Sequence, residues 1–335
     1  MTDIIVVDVA ELTSVDAKFV DLGKVGNRPV SWRRHSALPQ NALERAVVRP
    51  RLSRYRAAYN AARDSRSAEA IISHLPRMTA AVADLSRIAG SRVPHLAFSF
   101  NFTSLPGKLQ RVRMVNAFSR VDQFCVYTQF EAGLYADAFD IDPQRFKPVN
   151  WTQMTPEVAT GVCPQFKSPY VAAVGGEARD FTTLVSVARR LPDLNFVVIA
   201  RPTAALADAP PNMTILFNIP GPVCWQIAAG AEAVLVPLIG PDTCCGHVTL
   251  VSARLLALPI ITTASRGTQS YTDGFAGTMV VPHADPDAFA GAILAIRENS
   301  AETKAHALAD QRRAQLLYDR SVWANYVGDF LKANL

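Results

Sequence analysis

The sequence predicts an α/β protein of two Rossmann-like, parallel-sheet domains, and three observations carry that expectation. Short apolar runs alternate with amphipathic segments, at the spacing of strand–helix units, in both halves of the chain. The alternation breaks once, over 143–169, where Pro143, Pro148, Pro156, Pro164 and Pro169 interrupt any periodicity. At 335 residues the chain is long enough to bury two cores. The expected division is a first domain over 1–150, a linker over 151–169 and a second domain over 170–335, whose last helix can pack back on the first. A cleft between two such domains is the usual place for a ligand.

Taken in order, residues 4–9 (Ile-Ile-Val-Val-Asp-Val) read as a buried strand and 42–66 as a long basic helix with a break at Pro50. Strands at 70–73, 95–99 and 123–127 then alternate with helices at 79–89, 109–118 and 128–139. Beyond the prolines, the strand 170–174 leads to the helix 181–190, and 195–199 and 213–217 are further strands. A helix at 222–229, a strand at 233–237, a helix at 248–256 and a strand beginning at Pro259 follow. The strand 277–281, the helix 286–299 and a pair of terminal helices complete the chain.

Composition narrows the function classes. Hydrophobic residues make up 49% and charged residues 19%, as in an ordinary globular protein. No run of eighteen apolar residues, the length that spans a membrane, occurs in the sequence. The start, Met-Thr-Asp-Ile-Ile-Val-Val-Asp, lacks the basic segment of a secretory signal. Five cysteines, including the adjacent Cys244 and Cys245, argue against a disulfide framework and for a reducing cytoplasm. No CxxC or HExxH pattern suggests bound zinc. The net charge of +5 is uneven: residues 1–150 hold 21 Lys and Arg against 14 Asp and Glu, the remainder 13 against 15. The excess, in Arg33, Arg34, Arg45, Arg49, Arg51, Arg54, Arg56, Arg63 and Arg66, suits an anionic partner or simply a solvated face. Nucleic acid is the weakest partner, because no reader motif accompanies the charge.

The most informative stretch is 244–287. Gly246 opens a helix, Pro259 starts the apolar run Pro-Ile-Ile-Thr-Thr, and Ser265-Arg266-Gly267 and Asp273-Gly274 are turns before the strand ending at Pro282. A glycine turn feeding a helix presents unpaired N–H groups and the positive end of the helix dipole, a seat for phosphate or diphosphate.

These residues resemble the GT-B glycosyltransferases of family 4. The segment Tyr170 to Leu184, with Gly175-Gly176 before Arg179 and then Phe181-Thr-Thr-Leu, is similar to the opening of that family's C-terminal domain. Gly246-His-Val-Thr-Leu-Val-Ser-Ala-Arg-Leu-Leu-Ala-Leu-Pro-Ile260 resembles its G-x-x-x-L-x-E-A-M-A-x-G-x-P-V segment, and 271–282 its d-G-x-x-G-x-l-v-P. Residues 121–146 resemble, more faintly, its last N-domain strand and helix. The likeness implies a GT-B fold, two Rossmann-like domains facing across a cleft, and sugar transfer with retention and without a metal ion or other cofactor. It also exposes departures. Cys244 and Ser252 stand where the family carries two glutamates, Ala257 replaces a helix-end glycine, and residues 9–22 lack the family's glycine-rich first loop.

Candidate residues follow. Arg179 matches the basic residue that stabilises the departing diphosphate, with a surface pair to Asp180 as the plain alternative. Gly176 shares its turn. Gly246, His247, Val248 and Thr249 would offer backbone N–H groups, and Thr249 a hydroxyl, to the same phosphates; Ser252 would stand at the ribose. His247 is a weaker candidate base, its side chain expected toward solvent. Arg201, Ser265, Arg266 and Gly267 end strands on the edge where open α/β sheets bind ligands, and Asp242 is a substitute carboxylate. In the first half His74 resembles the family histidine that touches the transferred sugar, and Asn101 is an acceptor-side candidate. Arg33, Arg34, Arg111 and Arg113 would hold a lipid-linked acceptor or an anionic membrane surface. The expectation is a cytoplasmic glycosyltransferase, its substrates a nucleotide-sugar donor and a glycan or lipid-linked acceptor. The rivals are a nucleotide-sugar epimerase, for which no acid–base pair stands out, and a non-catalytic subunit, which Cys244 and Ser252 favour.

Overall fold

Ile4–Ala10 (β1) is apolar except for Asp8 and is buried almost throughout, as a strand covered on both faces must be. The computed structural model describes residues 3–11, 22–47, 51–160, 166, 169–204, 206 and 208–335. Arg49, Pro50, the glycine-poor stretch 12–21 and Pro164 lie outside the described residues. The chain divides into two compact units, Met1–Asn150 with Arg320–Leu335, and Trp151–Asp319.

In the first unit β1 pairs in parallel with Arg28–Ser36 (β3) and with Ala70–His74 (β4), and Lys24–Val25 (β2) runs antiparallel to β3. His95–Phe98 (β5), Gln123–Val126 (β6) and Phe146–Pro148 (β7) complete the order β2-β3-β1-β4-β5-β6-β7. The helices are Ala42–Ala46 (α1), Leu52–Asp64 (α2), Pro76–Ala89 (α3), Lys108–Phe118 (α4) and Gln129–Phe139 (α5). An aromatic cluster of Phe100, Phe118, Phe124, Phe139 and Phe146 fills the core beside α4 and α5.

Three elements differ from the sequence expectation. The long helix over 42–66 is two helices, with α1 ending at Ala46 and α2 starting at Leu52. β3 was not anticipated: Pro29, Arg33, Arg34 and His35 hide it, and its residues are half-buried without alternation. β7 occupies part of the proline-punctuated stretch, held by parallel pairing to β6.

The second unit is a doubly wound sheet. Its elements run Tyr170–Val174 (β8), Phe181–Arg190 (α6), Asn195–Ala200 (β9), Met213–Phe217 (β10), Gly221–Ala229 (α7), Val234–Val236 (β11) and His247–Leu255 (α8). Ile260–Thr263 (β12), Thr278–Val281 (β13), Pro286–Glu298 (α9) and Ser300–Leu317 (α10) follow. Asp180 caps α6 by accepting from the Thr183 N–H at 2.9 Å, and Asp285 caps α9, with Pro286 in its first turn. The last helix, Arg320–Asn334 (α11), belongs to the first unit, where Trp323 packs edge-on against Phe98 and donates to the Asn150 carbonyl at 2.8 Å.

Strand order places the ligand-binding edges. In the second sheet it is β10-β9-β8-β11-β12-β13, and the direction of winding reverses between β8 and β11. In the first it reverses between β1 and β4. Crevices open at the carboxyl ends of strands at such switch points, because successive loops there diverge to opposite faces.

Candidate functional site

Arg179 sits at the second sheet's switch point. The loop from Gly175 to Asp180 leaves β8 and is clasped to the segment after β11: Arg179 bridges Leu238, Asp180 N–H donates to the Pro237 carbonyl at 2.9 Å, and Ile239 N–H donates to the Ala178 carbonyl at 3.3 Å. Gly175 has φ +119° and Ala178 φ +52°, so the loop is held in a backbone form that side chains disfavour. The guanidinium folds back over the loop. It donates to the Glu177 carbonyl at 2.9 Å and to Thr249 Oγ1 at 3.0 Å, while its Nε is buried with no partner among the described residues. A Cβ on Gly175 would stand 2.5 Å from Nη2. Arg179 is only 9% exposed, and Asp180 does not pair with it. Burial lowers its pKa, while the neighbouring Cys245 thiol and Glu177 carboxylate favour the charged form.

Arg201, largely exposed, is paired with the Glu177 carboxylate, and its aliphatic stem lies on Gly176, where a Cβ would be 2.5 Å from its Cγ. One loop thus positions two arginines, one buried and one exposed.

Thr249 brings in α8. Gly246, at φ +106°, precedes the helix without any side-chain cap, and the Cβ it lacks would approach Arg179 Nη1 to 3.8 Å. The uncapped helix start therefore faces a buried cation. Val248 is exposed and Thr249 buried. His247 is a correction to the sequence expectation: it is 5% exposed, not turned to solvent. Its Nε2–H donates to the Gly267 carbonyl at 2.8 Å and its ring packs on Tyr271. Burial pushes its pKa down to about 4, so at neutral pH it is an uncharged imidazole that organises the loop.

Ser252 is also committed. It is 1% exposed and accepts from Gln153 Nε2 at 2.6 Å, so a ribose could reach it only by displacing Gln153. Cys244 is buried at the other expected glutamate position. Asp242 is ion-paired with Arg266 at 2.6 Å on an exposed loop and supplies no free carboxylate. Ser265 donates to the Thr243 carbonyl at 3.0 Å and accepts from the Gly267 N–H at 3.2 Å, which ties the loops beside α8 together.

At the first unit's switch point the carboxyl ends of β1 and β4 bring Asp8 against His74. His74 Nε2–H donates to Asp8 Oδ1 at 2.7 Å, and Arg34, the register partner of Asp8 on β3, approaches Oδ2 at 3.6 Å. Both members of the pair are under 5% exposed. Leu75, just beyond, has φ +71°. A chain from Ser73 Oγ to Thr79 Oγ1 at 2.9 Å, and on to the Leu75 carbonyl at 3.0 Å, locks that strained turn. Asn101, half-buried, donates through Nδ2 to Glu131. Glu131 is fully buried and also accepts from the Tyr127 N–H at 2.8 Å and the Tyr135 hydroxyl at 3.2 Å; burial raises its pKa to about 7.

The structure joins Gly176, Arg179, Arg201, Gly246 and Thr249 in one neighbourhood and His74 with Arg34 in another. Arg33 donates to Ser67 Oγ at 2.8 Å, Arg113 pairs with Asp84 at 3.5 Å, and Arg111 donates to the Pro106 carbonyl at 3.4 Å. Sequence reasoning missed Asp8, Glu131, Gln153 and Glu177. Two of these left signals. Asp8 is an acid inside a buried strand, which demands a partner. Thr128-Gln-Phe-Glu131 is a helix-start pattern, with the Thr128 hydroxyl accepting from the Glu131 N–H at 3.1 Å. Among the described residues no three His, Cys, Asp or Glu side chains gather as a metal site, and no helix is long and apolar enough to cross a membrane.

No family model matches the sequence, and no curated protein sequence matches it. Solved structures do. HepE from Anabaena in complex with UDP-glucose is similar over 98% of this chain and 99% of its own, with a TM-score of 0.74 at 11% identity. Sucrose-phosphate synthase from Thermosynechococcus elongatus is similar over 98% of each chain, with a TM-score of 0.71 at 13% identity. The lipopolysaccharide outer core galactosyltransferase WaaB is similar over 98% of this chain and 100% of its own, with a TM-score of 0.65 at 12% identity. At such identities the likeness settles the fold and nothing finer, and the chain has the GT-B fold.

Proposed function

We propose that the protein is a glycosyltransferase that takes a sugar from a nucleotide diphosphate donor. The observation that carries this reading is the buried, partly unsatisfied guanidinium of Arg179 beside the uncapped start of α8. A nearly buried cation is costly unless an anion completes its surroundings. A diphosphate would do so, accepting from Arg179 and from the first N–H groups of α8 over Gly246, His247, Val248 and Thr249. Glycosyl transfer breaks the bond from the anomeric carbon to the β-phosphate oxygen and adds one negative charge to the departing diphosphate. A buried guanidinium beside it stabilises that charge as it develops. Arg201 would add a solvent-facing charge over Gly176. The neighbour HepE was solved with UDP and UDP-glucose, which supports a nucleotide-sugar as donor.

His74, oriented by Asp8, is assigned to the transferred sugar, and Asn101, Arg33 and Arg34 to the acceptor side. The resemblance to family 4 favours retention without a metal ion, and the donor is a substrate, so no cofactor enters. A glycan or lipid-linked acceptor in polysaccharide or glycolipid assembly, met in the cytoplasm or at an anionic membrane surface, suits the basic first half. One observation favours a second reading, a non-catalytic GT-B subunit: Cys244 and Ser252 replace both expected carboxylates, and Ser252 is sealed by Gln153. Turnover of a panel of UDP-, GDP- and ADP-sugars separates the two. Transfer or hydrolysis of any donor establishes the enzyme. Binding without turnover of any donor establishes the subunit.

A further inference from the structure

The first unit carries a cluster of exposed arginines that, among the described residues, form no ion pair, at the other end of α3 from His74. Arg87, Arg92 and Arg120 line a cavity of about 210 Å³ together with Ser86, Ser91 and Asp122. It lies at the far end of α3, whose 14 residues span about 20 Å from the turn that follows His74. All three arginines are exposed, and among the described residues none is in an ion pair. The Ser86 hydroxyl oxygen is buried with no hydrogen-bond partner. Asp122, the cavity's carboxylate, is already held by the His95 N–H at 2.7 Å.

Basic residues gather at helix C-termini to offset the dipole, but that demand is met by other groups here. Arg145 donates to the Phe118 and Ser119 carbonyls at the end of α4, at 3.0 and 3.2 Å. Gly90, at φ +72°, closes α3, with N–H groups returned to Arg87 and Ser86 carbonyls. Three arginines outside any ion pair among the described residues are left around one space. A second cavity, of about 560 Å³, shares Arg87 and Arg120 as walls and adds Tyr55, Leu85, Ile88 and the ion pair of Arg113 with Asp84, whose carboxylate is thereby neutralised. Ile88 is 74% exposed, an apolar residue at a cationic rim.

We propose that these adjoining cavities form an anion site for a phosphate ester. The phosphate would lie among Arg87, Arg92 and Arg120, and its organic group along Tyr55, Leu85 and Ile88. Guanidiniums match phosphate oxygens in planar, paired hydrogen bonds, and the half-apolar neighbour selects an ester over inorganic phosphate. A soluble ester and a lipid headgroup present the same chemistry, so the test has two arms.

In one, phenyl phosphate is titrated calorimetrically into the full chain. In the other, the chain is sedimented with phosphatidic acid vesicles and, separately, with phosphatidylcholine vesicles. The Arg87→Ala/Arg120→Ala double variant changes two exposed side chains, and Lys304→Ala/Arg312→Ala, two exposed positions on α10, controls for the same loss of charge. We expect saturable binding in at least one arm, weakened about tenfold or more in Arg87→Ala/Arg120→Ala and unchanged in Lys304→Ala/Arg312→Ala. Phenyl phosphate binding identifies a soluble ester. Binding confined to phosphatidic acid vesicles identifies a headgroup. No saturable binding in either arm, or binding that the double variant leaves intact, overturns the site. Neither arm involves Arg179 or a nucleotide, so the result stands apart from the donor reading.

Discussion

His247 and His95 are neutral in the folded chain because burial makes their charged forms costly: burial pushes the pKa of His247 to about 4 and that of His95 to about 3. In the unfolded chain both titrate near 6.5. Between those limits the unfolded state holds more protons, so each histidine contributes stability above pH 6.5 that is lost as the pH falls toward 4. Glu131 acts in the opposite sense. Its pKa rises from 4.5 to about 7, so the stability linked to its protonated form is present below 4.5 and lost as the pH rises through 7. From pH 6.5 down to 4.5 the two histidines outweigh the one glutamate. These three groups together contribute a fall in urea-unfolding stability of about 1.4 kcal/mol per pH unit there, one net proton's worth. His247→Gln, which keeps a donor for the Gly267 carbonyl, should flatten that slope, and Glu131→Gln should steepen it; identical slopes in all three proteins would refute these assignments. At this scale sequence legibility was uneven. The turn that carries Arg179 was readable because two glycines ahead of a capped helix have a local signature. The Asp8–His74 pair was not, because its partners are 66 positions apart and only the crossing from β1 to β4 joins them.

The loop between β8 and α6 is the element on which the proposed donor seat depends. Gly175 and Gly176 look alike in the sequence but serve different contacts. Gly175→Ala meets both a positive φ and the guanidinium of Arg179, so it should cost about 1–3 kcal/mol and move the arginine. Gly176 has an ordinary φ, and its added methyl meets the stem of an exposed Arg201, which can swing away. We expect a cost under about 1 kcal/mol, within the usual range for surface changes. Chemical denaturation, with nucleotide affinity alongside, checks both. Equal penalties would show that the loop is not shaped around Arg179. Elements of the second unit were legible nearly to the residue, because β8, β9 and β12 are buried apolar runs and α6 has a capping aspartate and an apolar face. β3 was not, since a half-buried strand carrying arginines has neither alternation nor an apolar run. Its recognition needed the pairing with β1.

Over the whole molecule, two sheets of different strand number each place their polar constellation at the winding reversal. The β8/β11 reversal holds Arg179, and the β1/β4 reversal holds Asp8 and His74. That placement follows from topology, and it explains why the fold could be read from a chain only 10–13% identical to the structures it resembles. Strand–helix alternation and glycine turns are what packing requires, and they carry the fold where overall identity is low. The central claim is that the second unit binds a nucleoside diphosphate through Arg179, and calorimetric titration with UDP, GDP and ADP tests it most directly. Wild-type protein should bind at least one of them saturably. Arg179→Lys and Arg179→Ala, with native circular dichroism, should bind it at least about tenfold more weakly, the loss expected for a charge-assisted hydrogen bond. No binding of any diphosphate, or undiminished affinity in a folded Arg179→Ala protein, would contradict it.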